Sequence, residues 1–150
     1  LSSFSYDLQR GLEYEKKHLQ LLRKKHPDIK KIEGYCKEYD LFCPSTNIGF
    51  EVKYDLKSLQ TGNIIIEIEM PIGTPSGLST TKAFLWIFDT SKQSFYVKVD
   101  DLKKLVKPMT PRIIPGPGDT HKKLAYLVKK KEIENISFDY LNKKDLNHWL

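Results

Sequence analysis

Asp40, Glu51 and Lys53 are the residues of this chain whose types and spacing suit chemistry. They lie in EYDLFCPSTNIGFEVKYD, residues 38–55, where Pro-Ser-Thr-Asn has turn chemistry between two β-prone segments. Alternation along IGFEVKY sets Ile48, Phe50, Val52 and Tyr54 on one face of a strand and Glu51 with Lys53 on the other. Side chains two residues apart on a strand start about 7 Å from each other, so the tips of Glu51 and Lys53 can converge on one ligand. Asp40 comes from the partner strand, and the turn brings it to the same neighbourhood. Two carboxylates near one point repel unless a cation binds or one takes up a proton. An oxygen-rich site of this kind suits Mg²⁺, with Mn²⁺ as a substitute. Taken alone, Glu51 and Lys53 also fit a solvated ion pair worth well under ~1 kcal/mol.

The elements that must position these groups follow from periodicity. Residues 5–25 read as a helix, with Leu8, Leu12, Leu19 and Leu22 within about 40° of one direction. Glu15 falls in the middle of that stripe, where a carboxylate is costly unless paired or metal-bound; Glu13 falls off it. IKKIEGYCK is a first strand, and YDLFC with IGFEVKY a hairpin. GNIIIEIEM is the most β-prone run and is expected as a central strand. LSTTKA reads as a helix start with Ser79 as N-cap. FLWIFDT and SFYVKV form a second hairpin, DDLKKLVK a short helix, LAYLV a late strand and KKKEIENI a last helix. PMTPRIIPGPGDTHKK, with four of the eight prolines, reads as a long loop. The order predicts one mixed α/β domain over 1–150, with a core of about 5–107 and a basic, loop-rich part of about 108–150.

An Asp, a gap and then Glu-x-Lys on a hairpin, after a helix that donates a Glu, resembles the PD-(D/E)XK nuclease superfamily. TGNIIIEIEMPIGTPSGLSTTKAFLWIF extends the likeness to its phage-type endonucleases, and Holliday-junction resolvases share the core motif. The resemblance covers roughly residues 10–90. It implies a restriction-endonuclease-like core: a mixed central β-sheet flanked by helices, the first helix carrying a site Glu. It maps Asp40, Glu51 and Lys53 onto the core motif and Glu15 onto the first-helix acid. Asp40, Glu51, the Val52 carbonyl and Glu15 would then hold Mg²⁺, and Lys53 would orient the attacking water or stabilise charge on the phosphorane. Tyr39 stands where the pattern has proline. The literal Pro27-Asp28 pair follows a helix end, so Asp28 is most simply a turn residue and Asp40 the site acid.

Softer candidates surround this set. Ser79, Thr81 and Lys82 at a helix start offer hydroxyls, backbone N–H groups and a cation to phosphate; an ordinary cap serves equally. Gln60 lies on the approach to the isoleucine strand. Glu67 either lines the site, pairs with Lys53 or sits on a solvated face. Lys122 and Lys123, with Arg23–Lys25, Lys103–Lys104 and Lys129–Lys131, can form a rim for a nucleic-acid backbone or simply be solvated. His18, His26, His121 and His148 form no triad or ligand set.

Composition is compatible with this reading. The chain has 150 residues, 39% apolar and 29% charged, with a net charge of +6. The excess is uneven: residues 1–50 carry +2, 51–100 carry −1 and 101–150 carry +5. Such a balance suits a polyanionic partner without demanding one. Cys36 and Cys43 form no metal motif or disulfide framework and fit a reducing, intracellular setting. No apolar run approaches the ~20 residues that span a bilayer. The expectation is a Mg²⁺-dependent endodeoxyribonuclease, either site-specific (restriction or homing type) or phage- and junction-resolvase-like, acting as a homo-oligomer, dimer or tetramer. The rival is a nucleic-acid-binding module with the same fold that does not cut.

Overall fold

Residues 48–54 alternate between two apolar environments, and the chain is built around that strand. A computed structural model describes residues 3–34, 38–115 and 121–142, with only the backbone for 3–5 and 7. Cys36, His148 and residues 116–120 of the long loop lie outside the described residues. The elements are α1 (Ser3–Leu22), β1 (Lys30–Lys31), β2 (Leu41–Cys43), β3 (Ile48–Tyr54), α2 (Ser58–Thr61), β4 (Asn63–Glu69), β5 (Leu85–Asp89), β6 (Ser94–Lys98), α3 (Val99–Val106), β7 (Arg112–Ile114), β8 (Lys123–Lys129) and α4 (Lys130–Ile136). This is a mixed α/β protein.

Five strands form one mixed sheet in the order β1-β2-β3-β5-β6, with β3 and β5 parallel and the other pairs antiparallel. One face of β3, carrying Phe50 and Val52, packs with Leu22 and Ile29 and with Tyr14 and Leu19 of α1. The other face looks toward Trp86 and Phe88, which stand opposite Glu51 and Lys53 in the register. Trp86 and Phe88 pack with Ile64 and Ile66 of β4 and Leu102 of α3. Helix α3 buries Val99, Leu102 and Val106, with Asp100 and Asp101 in its first turn and Lys103 and Lys104 in its last, as the helix dipole favours.

The isoleucine strand departs from expectation. β4 is an edge strand of a separate three-stranded antiparallel sheet ordered β4-β8-β7. β propensity reports a pleated, half-buried surface and not a position within a sheet. Ile64 and Ile66 supply that buried face, and the 70–79 segment folds back on the end of the free edge through Ser76 N–H to Ile68 O. The second sheet also draws on the C-terminal part: residues 112–114 of the long loop are strand, and β8 pairs with β4 from Asn63↔Lys129 to Glu69↔Leu124.

Helix α1 also differs from its pattern. Leu22 is buried and Leu19 half-buried, but Leu8 and Leu12 are 56% and 44% exposed. The C-terminal half of the stripe lies on the sheet, and the N-terminal half overhangs a cleft. LSTTKA contains no α-helix. A 3₁₀ turn, Gly77–Ser79, ends there, and Ser76, not Ser79, precedes it without a side-chain cap. Gly77 has φ +53°, and a Cβ there would lie 2.2 Å from the Glu67 carbonyl oxygen, so the close approach of turn to strand requires glycine. No helix among the described residues is long and apolar enough to cross a membrane.

Candidate active site

Strand β2 is shorter than β3, and the site lies where it ends. The register pairs Leu41 with Phe50, and Asp40 N–H donates to Phe50 O at 2.9 Å. Continuing that register by one residue sets Asp40 across from Glu51. Among the described residues, no strand pairs with β3 on this side beyond Asp40. The Asp40 carboxylate takes over the ladder, its Oδ2 accepting the Val52 N–H at 2.8 Å. In an extended strand the N–H and C=O of one residue point to the same side. The Val52 carbonyl therefore faces the edge where Asp40 stands.

Helix α1 roofs this edge. Leu8, Gly11, Leu12, Glu15, Asp40, Glu51, Val52, Lys53 and Tyr54 line one cleft of about 340 Å³. Asp40 and Glu15 are 5% and 8% exposed, which is rare for carboxylates. All four residues expected at the core of the site thus border one space. Glu51 and Lys53 pair at 3.1 Å. Lys53 Nζ also lies 5.2 Å from the centre of the Trp86 ring, within cation–π range. Burial works to lower the Lys53 pKa, but Glu51, then Asp40 and Glu67, outweigh it and the pKa is raised. Lys53 is therefore an ammonium at neutral pH. It can orient a lone pair or neutralise developing negative charge; it cannot act there as a base.

The donor set can be tested against a metal. Among the described residues, no three His, Cys, Asp or Glu side chains stand close enough together to hold an ion among themselves. Mg²⁺ needs less, since one or two carboxylates with water and substrate phosphate suffice. Asp40, Glu51 and the Val52 carbonyl provide hard oxygen donors at one edge, so the residues fit a Mg²⁺ or Mn²⁺ ion. Glu15 borders the same cleft from the helix side.

Tyr39, at the position of the expected proline, has a packing role. A Cβ on Gly49 would lie 2.3 Å from Tyr39 Cδ1, so the ring lies flat against a strand position that has no side chain. The ring also stacks on Phe42, with centroids 5.0 Å apart. Gly49→Ala should therefore push Tyr39 away next to Asp40 and cost about 1–3 kcal/mol, read by urea denaturation. A change below about 0.5 kcal/mol would show that the ring is not anchored there. Asp28 is engaged elsewhere. Its carboxylate accepts Cys43 Sγ–H, Ser45 Oγ–H and Ser45 N–H, which hold its pKa at about 2, so it ties down the β2–β3 turn.

The softer candidates separate. Thr81 Oγ1 accepts from Trp86 Nε1 and Ala83 N, both at 3.2 Å, and so supports the tryptophan beneath Lys53. The backbone N–H groups of residues 79–82 are spent internally: Ser79 on Ser76 O, Thr80 and Thr81 on Gly77 O, Lys82 on Glu38 O. The backbone N–H part of the expected phosphate grip is therefore already taken up, while Ser79 and Lys82 are exposed. Gln60 is exposed on α2, and Lys122 is exposed just before β8. Lys123 reaches Glu67 at 3.9 Å, and Glu67 also accepts the Ser76 hydroxyl at 2.9 Å. Glu67 thus pairs with Lys123 and acts on Lys53 only through its field.

Two features escape pattern reading. His18 is fully buried and bonded to Asp89, which also binds Lys17. Its place on the Glu15 face of α1 was the available signal. Asp55 accepts Ser58 N–H at 3.0 Å and Ile65 N–H at 3.4 Å, pinning α2 and β4 to the end of β3. Comparison with protein-family models, with curated proteins and with solved structures finds no match to this chain.

Proposed function

We propose that this chain is a metal-dependent endodeoxyribonuclease with a restriction-endonuclease-like core, hydrolysing DNA phosphodiesters. The observation that carries the reading is the burial of Asp40 and Glu15, distant in sequence, on the same cleft as Glu51 and Lys53. Three carboxylates and one ammonium bordering one cleft form a mixture that suits a divalent cation with a phosphate.

Asp40, Glu51 and the Val52 carbonyl would hold Mg²⁺ or Mn²⁺, which when bound polarises the phosphate and acidifies water. The chain's own residues do the rest. Asp40 is aligned by the Val52 N–H. Lys53, kept protonated by Glu51, Asp40 and Glu67, places positive charge beside the phosphoryl oxygens as negative charge grows on them. Trp86 beneath Lys53 fixes its height over the sheet. Glu15 orders water on the helix side of the cleft. A small domain with one such site cuts two strands by pairing, so a homodimer or homotetramer is the expected working form.

The deciding experiment presents supercoiled plasmid, a synthetic four-way junction and randomised duplex DNA with Mg²⁺, Mn²⁺ or EDTA, to the native chain and to Asp40→Asn. Cutting that requires the ion and disappears in Asp40→Asn supports the nuclease, and the preferred substrate separates the junction from the duplex reading. Binding of all three DNAs without cutting of any would replace it by the non-catalytic module. A metal site also has an equilibrium signature. Mn²⁺ at about 100 times its Kd should stabilise the fold by about 2.7 kcal/mol. The corresponding rise in Tm should vanish in Glu51→Gln; an equal rise in that variant would place the ion elsewhere.

A further inference from the structure

Beside the acid cleft lies a larger one of about 430 Å³, between the two sheets. The two share Lys53 and Tyr54. The larger cleft is bordered by Arg10 of α1, Lys57 before α2, Lys123 at the start of β8, and Lys53. Its acids are Asp55 and Glu67. Both are committed within the protein: Asp55 receives the Ser58 and Ile65 N–H groups, and Glu67 receives the Ser76 hydroxyl. Four cations therefore face two engaged carboxylates; Lys53 is held by Glu51, and Lys123 lies 3.9 Å from Glu67, at the long limit of an ion pair. The rim is also built: the Asp55 bonds hold α2 against β4, which fixes the backbone at Lys57, while Lys123 is held in a β ladder opposite Ile114.

We propose that this cleft binds the phosphates of the DNA strand as it leaves the acid cleft, with Arg10, Lys57 and Lys123 as backbone contacts. The inference rests on the nuclease reading and adds the path of the strand. The path crosses β3 at Lys53 and runs between the sheets; it does not run over Ser79–Lys82, whose N–H groups are spent. Lys57 and Arg10 are thereby assigned a role that no local pattern gives them.

The test is equilibrium binding of a fluorescent random-sequence duplex in EDTA, across about 50–200 mM salt. Each phosphate contact adds about 0.9 to the slope of log K against log[salt]. Arg10→Ala/Lys57→Ala/Lys123→Ala should flatten the slope by about 2–3. Lys30→Ala/Lys92→Ala/Lys107→Ala removes the same charge from exposed positions that do not line the cleft and should leave the slope within about 0.5 of the native value. Lys57→Glu, at an exposed position, gives the same readout if the triple variant does not fold. An unchanged slope in the cleft variants, or an equal loss in the control, overturns the proposal. If the native chain still cuts DNA in that case, the nuclease reading stands without it. A native chain that neither binds nor cuts DNA removes both.

Discussion

Lys53→Ala should lower single-turnover cleavage by at least about 10²-fold while the fold and DNA binding persist. The magnitude follows from where the charge sits. Lys53 Nζ is held by Glu51 at 3.1 Å and by the Trp86 ring, at one of the two positions shared by both clefts. A preorganised cation at that point needs no reorganisation when charge develops on the phosphate. Lys53→Arg keeps the charge but replaces a compact ammonium by a planar fork, so it should restore only part of the rate. The pH profile separates cation from base. The Lys53 pKa is raised above its ordinary value of 10.5, so the ammonium persists across the neutral and mildly alkaline range. Cleavage should show no falling limb from loss of this proton below about pH 10. A rate within tenfold of native in Lys53→Ala, measured with enzyme in excess, would remove Lys53 from the chemistry.

The parts of this site that lie within one hairpin are legible in the sequence because strand geometry is strictly local. Alternation alone puts Glu51 and Lys53 on one face, and the Pro-Ser-Thr-Asn turn returns Asp40 to their edge. Glu15 is legible by the helical period, and it is buried. The same period misleads at Leu8 and Leu12, which are exposed because the sheet ends beneath them. A stripe shows which face is apolar and not how far its partner extends. The grouping of strands is opaque for a related reason. GNIIIEIEM has the same β propensity whether its edges are paired or covered, and its assignment to a second sheet depends on β8, some sixty residues later. Glycine offered one unread signal: Gly49 inside a strand marks a close approach, here by the Tyr39 ring.

Asp89→Ala should destabilise the fold by about 3–5 kcal/mol, a large fraction of the ~5–15 kcal/mol that holds a domain together. Asp89 is fully buried at the end of β5. Its carboxylate accepts from His18 Nε2 at 2.7 Å, Lys17 Nζ at 2.9 Å and Ser91 N–H at 2.8 Å. Burial alone would raise its pKa, but the bonds to His18, Lys17 and Ser91 prevail and hold it well below the ordinary 3.8. Asp89 is thus ionised and can only accept, so the proton it shares with His18 sits on Nε2. Alanine would leave that donor buried without an acceptor and release Lys17 from the sheet. The sign of the pH dependence follows. A depressed carboxylate contributes its full stabilisation above its unfolded value, near 3.8, and loses it as pH falls through the lower folded value. The gap between native and Asp89→Ala proteins in urea denaturation should therefore be constant from about pH 7 to 5 and shrink only in stronger acid. A gap that closed near pH 6 would assign the energy to a group other than Asp89. Because His18 lies one helical turn beyond Glu15, the same bonds anchor the helix that brings Glu15 over the cleft. Metal-dependent stabilisation should weaken in Asp89→Ala at temperatures where the variant is still folded, although Asp89 does not line the site.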